Sequence, residues 1–308
     1  MLAQLKRAFR NDTTVRVVRA TYPALNWARG RKQHYLRVAP YLEYMTFDEV
    51  RFSNRGNEPE AHLRRTQRLI DLSRADVLVA GAGSGDELRL WQQSSPRSLA
   101  ATDFFPHPGE WTRRQGVRHA VMDVRALAFA DDSFDLVAST ALLEHVDGVE
   151  ACMREMARVT RPGGIVFANF GPLYHTFGGA HFFGAYEHLW MTDAQFEAYL
   201  VERAIPYEQQ EALFWLRNGM FSRLTYDEYL DIFRRHFDIE HVTLAVSPQA
   251  LAYKRKNREA WRSLRARYDE RDLLTFGATV WLRPKAAITS IEAREVALRP
   301  AGGSRLSA

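Results

Sequence analysis

Only one cysteine occurs in the 308 residues, Cys152, so no intramolecular disulfide can form and a reducing, cytoplasmic setting is expected. No apolar run approaches the roughly 20 residues that a helix needs to cross a bilayer, so no helical membrane span is expected. Residues 1–10 carry basic side chains without an apolar stretch or a small-residue cleavage site, so no secretory leader is expected either. Internal repeats and low-complexity stretches are missing too. Between residues 1 and 73 the alternation that marks strands is absent. Helical patches there are interrupted by Pro23, Gly30, Pro40 and Pro59, and the segment reads as a helical extension or lid.

Acidic residues are the next shortage. The net charge is +5, and residues 1–42 hold nine Lys or Arg against one acid, Asp12. A second basic run spans residues 254–271. Either could attract nucleic acid. A simpler account is favoured for the second, because Ala252, Ala260, Trp261 and Leu264 form an apolar stripe on a helix whose other face is solvated arginine. No nucleic-acid partner is expected, and a homodimer is left open.

What the chain does have is a stretch around which the rest can be arranged, residues 77–87, V-L-V-A-G-A-G-S-G-D-E. A short β-branched run broken by glycines at alternate positions is how a buried parallel strand turns into a helix. Gly81, Gly83 and Gly85 tolerate positive φ and let a ligand lie against bare backbone, so a nucleotide-type ligand is expected there. A dinucleotide fingerprint would place its third glycine at position 86, but Asp86 and Glu87 follow instead. Two carboxylates would repel a pyrophosphate. A phosphate-free ligand with a positive end, such as S-adenosylmethionine, suits the stretch better.

From residue 76 onwards, strand and helix patterns alternate. Strands are expected over 76–80, 98–102, 117–122, 134–140, 165–170, 239–246 and 274–282, and helices over 86–93, 149–159, 192–203, 225–236 and 251–268. That rhythm predicts an α/β, doubly wound, seven-stranded sheet. Its last strand is expected to insert antiparallel. The rhythm breaks at about 171–224, where residues 174–188 alone hold five aromatics and three histidines, and this insertion after the fifth strand reads as a cap over the ligand cleft. The resulting division is an extension over 1–73, a ligand-binding domain over 74–285 and a tail over 286–308.

Two carboxylates close the strands after the glycine turn. Asp103 stands where this fold puts an acid against a ribose. Asp123, with the Val124 backbone and the apolar Leu127 and Phe129, describes an adenine slot.

These blocks together resemble the class I S-adenosylmethionine-dependent methyltransferases, whose fold is Rossmann-like. The glycine stretch is followed by T-D at 102–103, D-V-R-A-L-A-F-A-D-D-S-F-D-L-V from 123, L-L-E-H-V at 142–146 and M-A-R-V-T-R-P-G-G-I-V-F at 156–167. The resemblance is close over about a third of the chain. It implies S-adenosylmethionine as cofactor, with Gly81, Ala82, Gly83 and Gly85 against its methionine part, Asp103 and Phe104 at the ribose, Asp123 and Val124 at the adenine and Thr140 beside the sulfonium. Many members carry an acid two positions before the first glycine, where this chain has Val79. Glu144 and His145 follow the family pattern, but the residues themselves assign them no role.

Methyl transfer needs alignment, exclusion of water and, for a hydroxyl or protonated amine, a base. His175, His181 and His188 in the cap are the candidate bases, with Glu187 beside them. Tyr174, Tyr186 and Tyr35 are candidates for the substrate pocket, and Tyr41, Tyr44 and Phe47 could line it with Tyr35. The histidine spacings of six and seven residues put no two on one helical turn, so no metal site is expected. The reading is a methyltransferase acting on an O or N atom of a small molecule. An enzyme that breaks another C–S bond of the same cofactor, or a silent cofactor-binding partner subunit, remains open beside it.

Overall fold

The computed structural model describes residues 49–52, 59–107, 110, 116–182, 184–203 and 206–285. Eight strands form one sheet: β1 (Glu49–Phe52), β2 (Asp76–Ala80), β3 (Ser98–Asp103), β4 (Val117–Val121), β5 (Phe134–Thr140), β6 (Thr160–Phe170), β7 (Phe237–Val246) and β8 (Thr275–Pro284). Their order across the sheet is β1-β7-β8-β6-β5-β2-β3-β4. The seven expected strands make up β2 to β8. β1 is an addition: it pairs in parallel with β7 at the sheet edge, inside a segment whose sequence shows no strand alternation. A four-residue edge strand has too few positions for alternation to register.

Two features of this order position the site. β2 pairs with β3 on one side and β5 on the other, so successive strands run outwards in opposite directions from the β2–β5 junction. A crevice therefore opens beyond the carboxyl ends of β2 and β5, where Gly81 and Thr140 lie. β8 is the second feature, because it runs antiparallel between β6 and β7. The chain leaves β7 at Val246 and re-enters the sheet at its register partner, Thr275, and the Ser247 N–H donates to the Leu274 carbonyl at 3.0 Å. A connection that stays at one end of the sheet can only return antiparallel.

Nine helices are present among the described residues. They are α1 (Pro59–Thr66), α2 (Leu88–Gln92), α3 (Val149–Val159), α4 (Asp193–Arg203), α5 (Pro206–Arg217), α6 (Tyr226–His236), α7 (Pro248–Lys256), α8 (Arg258–Arg265) and α9 (Glu270–Leu274). The central strands are buried on both faces. Leu78 and Ala80 of β2 join α3 and α6 in one apolar cluster with Met153, Met156, Tyr229 and Phe233. Val77 and Val79 point the other way, into a cluster with Leu88, Trp91, Phe167 and Trp281. This alternation explains a strand that reads as a continuous apolar run. α1 closes the second cluster with Leu63, and its Thr66 hydroxyl accepts from the Trp281 indole N–H at 3.0 Å.

Two helix expectations change. The helix expected from residue 86 starts at Leu88, because Asp86 and Glu87 still belong to the turn. The single helix expected over 251–268 is split at Asn257, whose φ of −120° and ψ of 59° are not helical. Trp261 and Leu264 of the expected apolar stripe are nevertheless buried and Arg258 and Arg262 face solvent, but Ala260 is exposed and Ala252 only half-buried.

One buried acid couples this fold to pH. Glu144, 2% exposed, accepts from the Gly171 N–H at 3.0 Å through Oε1, while Oε2 has no partner among the described residues. Burial pushes its carboxyl up to about 8. The folded state thus holds a proton that the unfolded chain releases near 4.5, and Glu144's share of stability is lost as pH rises from about 5 through 8. Glu144→Gln keeps the Gly171 bond without a titrating proton. In urea denaturation the variant should gain on the wild type by an amount on the order of 3 kcal/mol between pH 5 and 8. A difference that does not change with pH would refute the assignment.

Candidate active site

The turn after β2 is built as its glycines require. Gly81, Gly83 and Gly85 have φ values of +70°, +50° and +88°. A Cβ on Gly81 would come 2.8 Å from Leu142 Cδ1, so only glycine lets the turn pack against the segment after β5. At Gly83 nothing lies within 4 Å of an added Cβ, and that face of the backbone is open. Gly85 borders neither of the cavities described below and serves the turn itself, donating to the Ala82 carbonyl at 2.8 Å.

Asp103 ties this turn to the next strand. One carboxylate oxygen accepts from Gly83 N–H at 2.8 Å and the other from Phe105 N–H at 2.9 Å. Each oxygen keeps lone-pair capacity for a further donor. Asp123 is engaged differently. The Arg125 guanidinium spans both its oxygens at 2.8–3.1 Å and holds its carboxyl below the usual range.

Two cavities meet at Gly81 and Ala141. The first, about 460 Å³, is bordered by Asp103, Phe104, Asp123, Val124 and Leu142, with Trp215, Gly219 and Met220 reaching in from the end of α5 and the turn after it. The second, about 940 Å³, lies between the glycine turn and α1 and is bordered by Ala82, Gly83, Ser84, Glu87, Thr140 and His62. Gly81, Ala82, Gly83, Asp103, Phe104, Asp123, Val124 and Thr140 each border one or both of these adjoining cavities, together called the cleft below.

The cap residues expected to act do not reach it. His188 is 1% exposed; its Nε2 lies 2.7 Å from the Tyr174 carbonyl, its ring packs against Phe182 and Phe196, and burial drives its pKa down to about 3. His175 sits between the rings of Tyr174 and Tyr268, with its pKa lowered by burial. His181 takes a left-handed φ of +58° and packs behind His145, 3.7 Å from Glu211. Glu187 accepts from the Ala185 N–H close to itself in the chain, at 2.5 Å. Tyr186, 1% exposed, donates to the Leu273 carbonyl at 2.7 Å, and Tyr174 packs under Arg223. None of these six borders either cavity, because each is engaged by neighbouring rings or backbone groups within its own segment and the elements packed on it. Tyr35, Tyr41, Tyr44 and Phe47 lie outside the described residues.

Several residues that the sequence reading left without a role do border the cleft. His145 follows β5, stacks on Trp215 with ring centroids 3.8 Å apart, and has Nδ1 3.1 Å from the Met220 carbonyl. That bond assigns the proton to Nδ1, and burial lowers the ring's pKa to about 3, so the imidazole is neutral with Nε2 as its acceptor. Its signal was in the sequence, in L-L-E-H-V. Trp215 and Met220 carried none, since they arrive from the end of α5 and the turn after it, far along the chain from β5.

Residues 78–168 match a family model described as a methyltransferase domain. A malonyl-[acyl-carrier protein] O-methyltransferase from Halorhodospira halophila is 36% identical over 105 residues, 31% of this chain and 35% of that protein. A ubiquinone/menaquinone biosynthesis C-methyltransferase from Desulfotalea psychrophila is 33% identical over 99 residues, 30% of this chain and 40% of that protein. The chain thus spans well under half the length of these relatives. A crystal structure of an S-adenosylmethionine-dependent methyltransferase from Mesorhizobium loti superposes with a TM-score of 0.47 at 19% identity, covering 74% of this chain and 98% of that one. The segment that carries the glycine turn, Asp103, Asp123 and His145 therefore matches a methyltransferase domain.

Proposed function

We propose that this protein transfers the methyl group of S-adenosylmethionine to an oxygen or nitrogen of a small molecule. The observation that carries the reading is the 460 Å³ cavity, where carboxylates from the ends of two neighbouring strands flank an apolar wall beside a glycine turn. The residues suit the cofactor: Asp103 has acceptor capacity for ribose hydroxyls, and Asp123 can accept from an exocyclic amine. Met122, Val124 and Leu142 offer apolar surface to a purine ring. When bound, S-adenosylmethionine supplies a methyl group already activated on a sulfonium.

What the chain must add is alignment and exclusion of water. Trp215 and Met220 roof the cavity, which supports the cap as a water-excluding element. The 940 Å³ cavity shares Gly81 and Ala141 with the first, and it is where the acceptor would enter. Arg64, Arg89 and Gln93 on its rim suit an acceptor with a polar end. A neutral His145 whose pKa lies near 3 is a weak base, and this favours an acceptor that arrives as a ready nucleophile. The O-methyltransferase among the relatives supports an oxygen acceptor. The C-methyltransferase points to carbon, so identification of the methylated atom separates the two.

S-adenosylhomocysteine should bind in calorimetry, and Asp103→Asn should weaken it by about tenfold or more, since an amide nitrogen then faces a donor. Gly81→Ala should weaken binding as well and destabilise the fold by about 1–3 kcal/mol, because it adds a Cβ against Leu142 at a left-handed φ. With methyl-labelled cofactor and a panel of candidate acceptors, label should appear in the acceptor and S-adenosylhomocysteine in solution. Methylthioadenosine as the product would establish cleavage of another C–S bond. Tight binding with no product would mark a silent cofactor-binding subunit.

A further inference from the structure

Glu87 is a carboxylate that no cation meets among the described residues. It stands at the end of the glycine turn and borders the 940 Å³ cavity together with Gly81, Gly83, Ser84 and Thr140. Two neutral donors converge on it: the Trp91 indole N–H reaches Oε1 at 3.1 Å, and the Thr140 hydroxyl donates from the end of β5. Among the described residues no Lys, Arg or His forms an ion pair with it. Arg64, across the cavity, goes to Glu60 at 3.5 Å. Among the described residues, then, a carboxylate on the wall of the cavity that Gly81 and Thr140 also border is held by neutral hydrogen bonds alone.

The opposite circumstance holds at Val79. Where many class I members carry an acid, this chain has a fully buried valine packed into the cluster with Leu88 and Trp91, so β2 sends no carboxylate towards the cleft. We propose that Glu87 is the counter-ion for the α-ammonium group at the methionyl end of the cofactor, taking over from the turn what β2 does not provide. The proposal rests on the reading of the cleft as an S-adenosylmethionine site. A compact cation with three N–H donors suits a carboxylate held by Trp91 and Thr140, and nearby carbonyls of the turn can take its other protons. Binding would also relieve the carboxylate of its unpaired burial.

A pH signature follows. Burial raises the Glu87 carboxyl to about 7. Ligand binding needs it ionised, so affinity for an ammonium-bearing ligand should fall as pH drops through 7. The other charged or titratable groups facing this space are Glu60, His62 and Arg64 from α1, and Asp86 and Arg89 from its own segment. Comparison with a Glu87 variant separates their contribution.

The test is calorimetry on the full chain with three probes: S-adenosylhomocysteine, its deaminated analogue that keeps the carboxylate, and methylthioadenosine, which lacks the whole amino-acid part. Glu87→Gln preserves length and hydrogen-bonding shape. It should weaken S-adenosylhomocysteine by about tenfold or more, leave the other two probes unchanged and abolish the fall in affinity below pH 7. A loss within about twofold for S-adenosylhomocysteine, or an equal loss for all three probes, would overturn the proposal. If the Gln variant does not fold, Glu87→Asp, which retracts the carboxylate by one methylene, should show the same selectivity for the amine. Wild-type protein that binds none of the probes would instead overturn the reading of the cleft, and the inference with it.

Discussion

The contact on which the rest of the cleft depends is the one between Gly81 and Leu142. It brings the end of β2 against the segment that follows β5, where an added Cβ would lie 2.8 Å from Leu142 Cδ1 and 3.2 Å from its Cβ. Because β2 and β5 are neighbours, this contact sits where the strand order reverses, and both cavities open from it. The Gly83–Asp103 hydrogen bond then fixes the turn against β3. Three strand ends are thus held together by one packed glycine and one carboxylate.

Burial decides which polar side chains remain free to meet a ligand. In the cap, His188 and Tyr186 are each bound to a backbone carbonyl and enclosed by aromatic rings, so their chemistry is spent inside the protein. The same physics gives His145 a different place. Its Nδ1 is tied to Met220 while its ring forms part of the cavity wall, leaving a neutral imidazole of fixed tautomer at the cleft. The segment after β6 contributes to that wall through Trp215, which stacks on His145.

Much of the fold could be read from residue patterns because the signals are local. β2, β5 and α3 are continuous apolar or amphipathic segments with turns at both ends, and the structure sets them where the sequence predicts. The antiparallel β8 was expected from a connection lacking a glycine turn, and the geometry supplies the reason, a connection that remains at one end of the sheet. Short or broken elements were harder to read. β1 is too brief to alternate, and the split at Asn257 interrupts a run whose composition favours one helix.

The sequence by itself determined the strand-turn that borders the cleft and the two carboxylates that follow it, since backbone freedom at glycine and charge at a strand end are properties of single positions. It also supplied the family resemblance, in blocks whose order is written along the chain. Only the tertiary structure decided which histidine lines the cleft and which aromatic residues are core. That choice depends on what packs on either side of a side chain, and for His145 and Glu87 those neighbours come from Trp215 and from Thr140, residues 70 and 53 positions away.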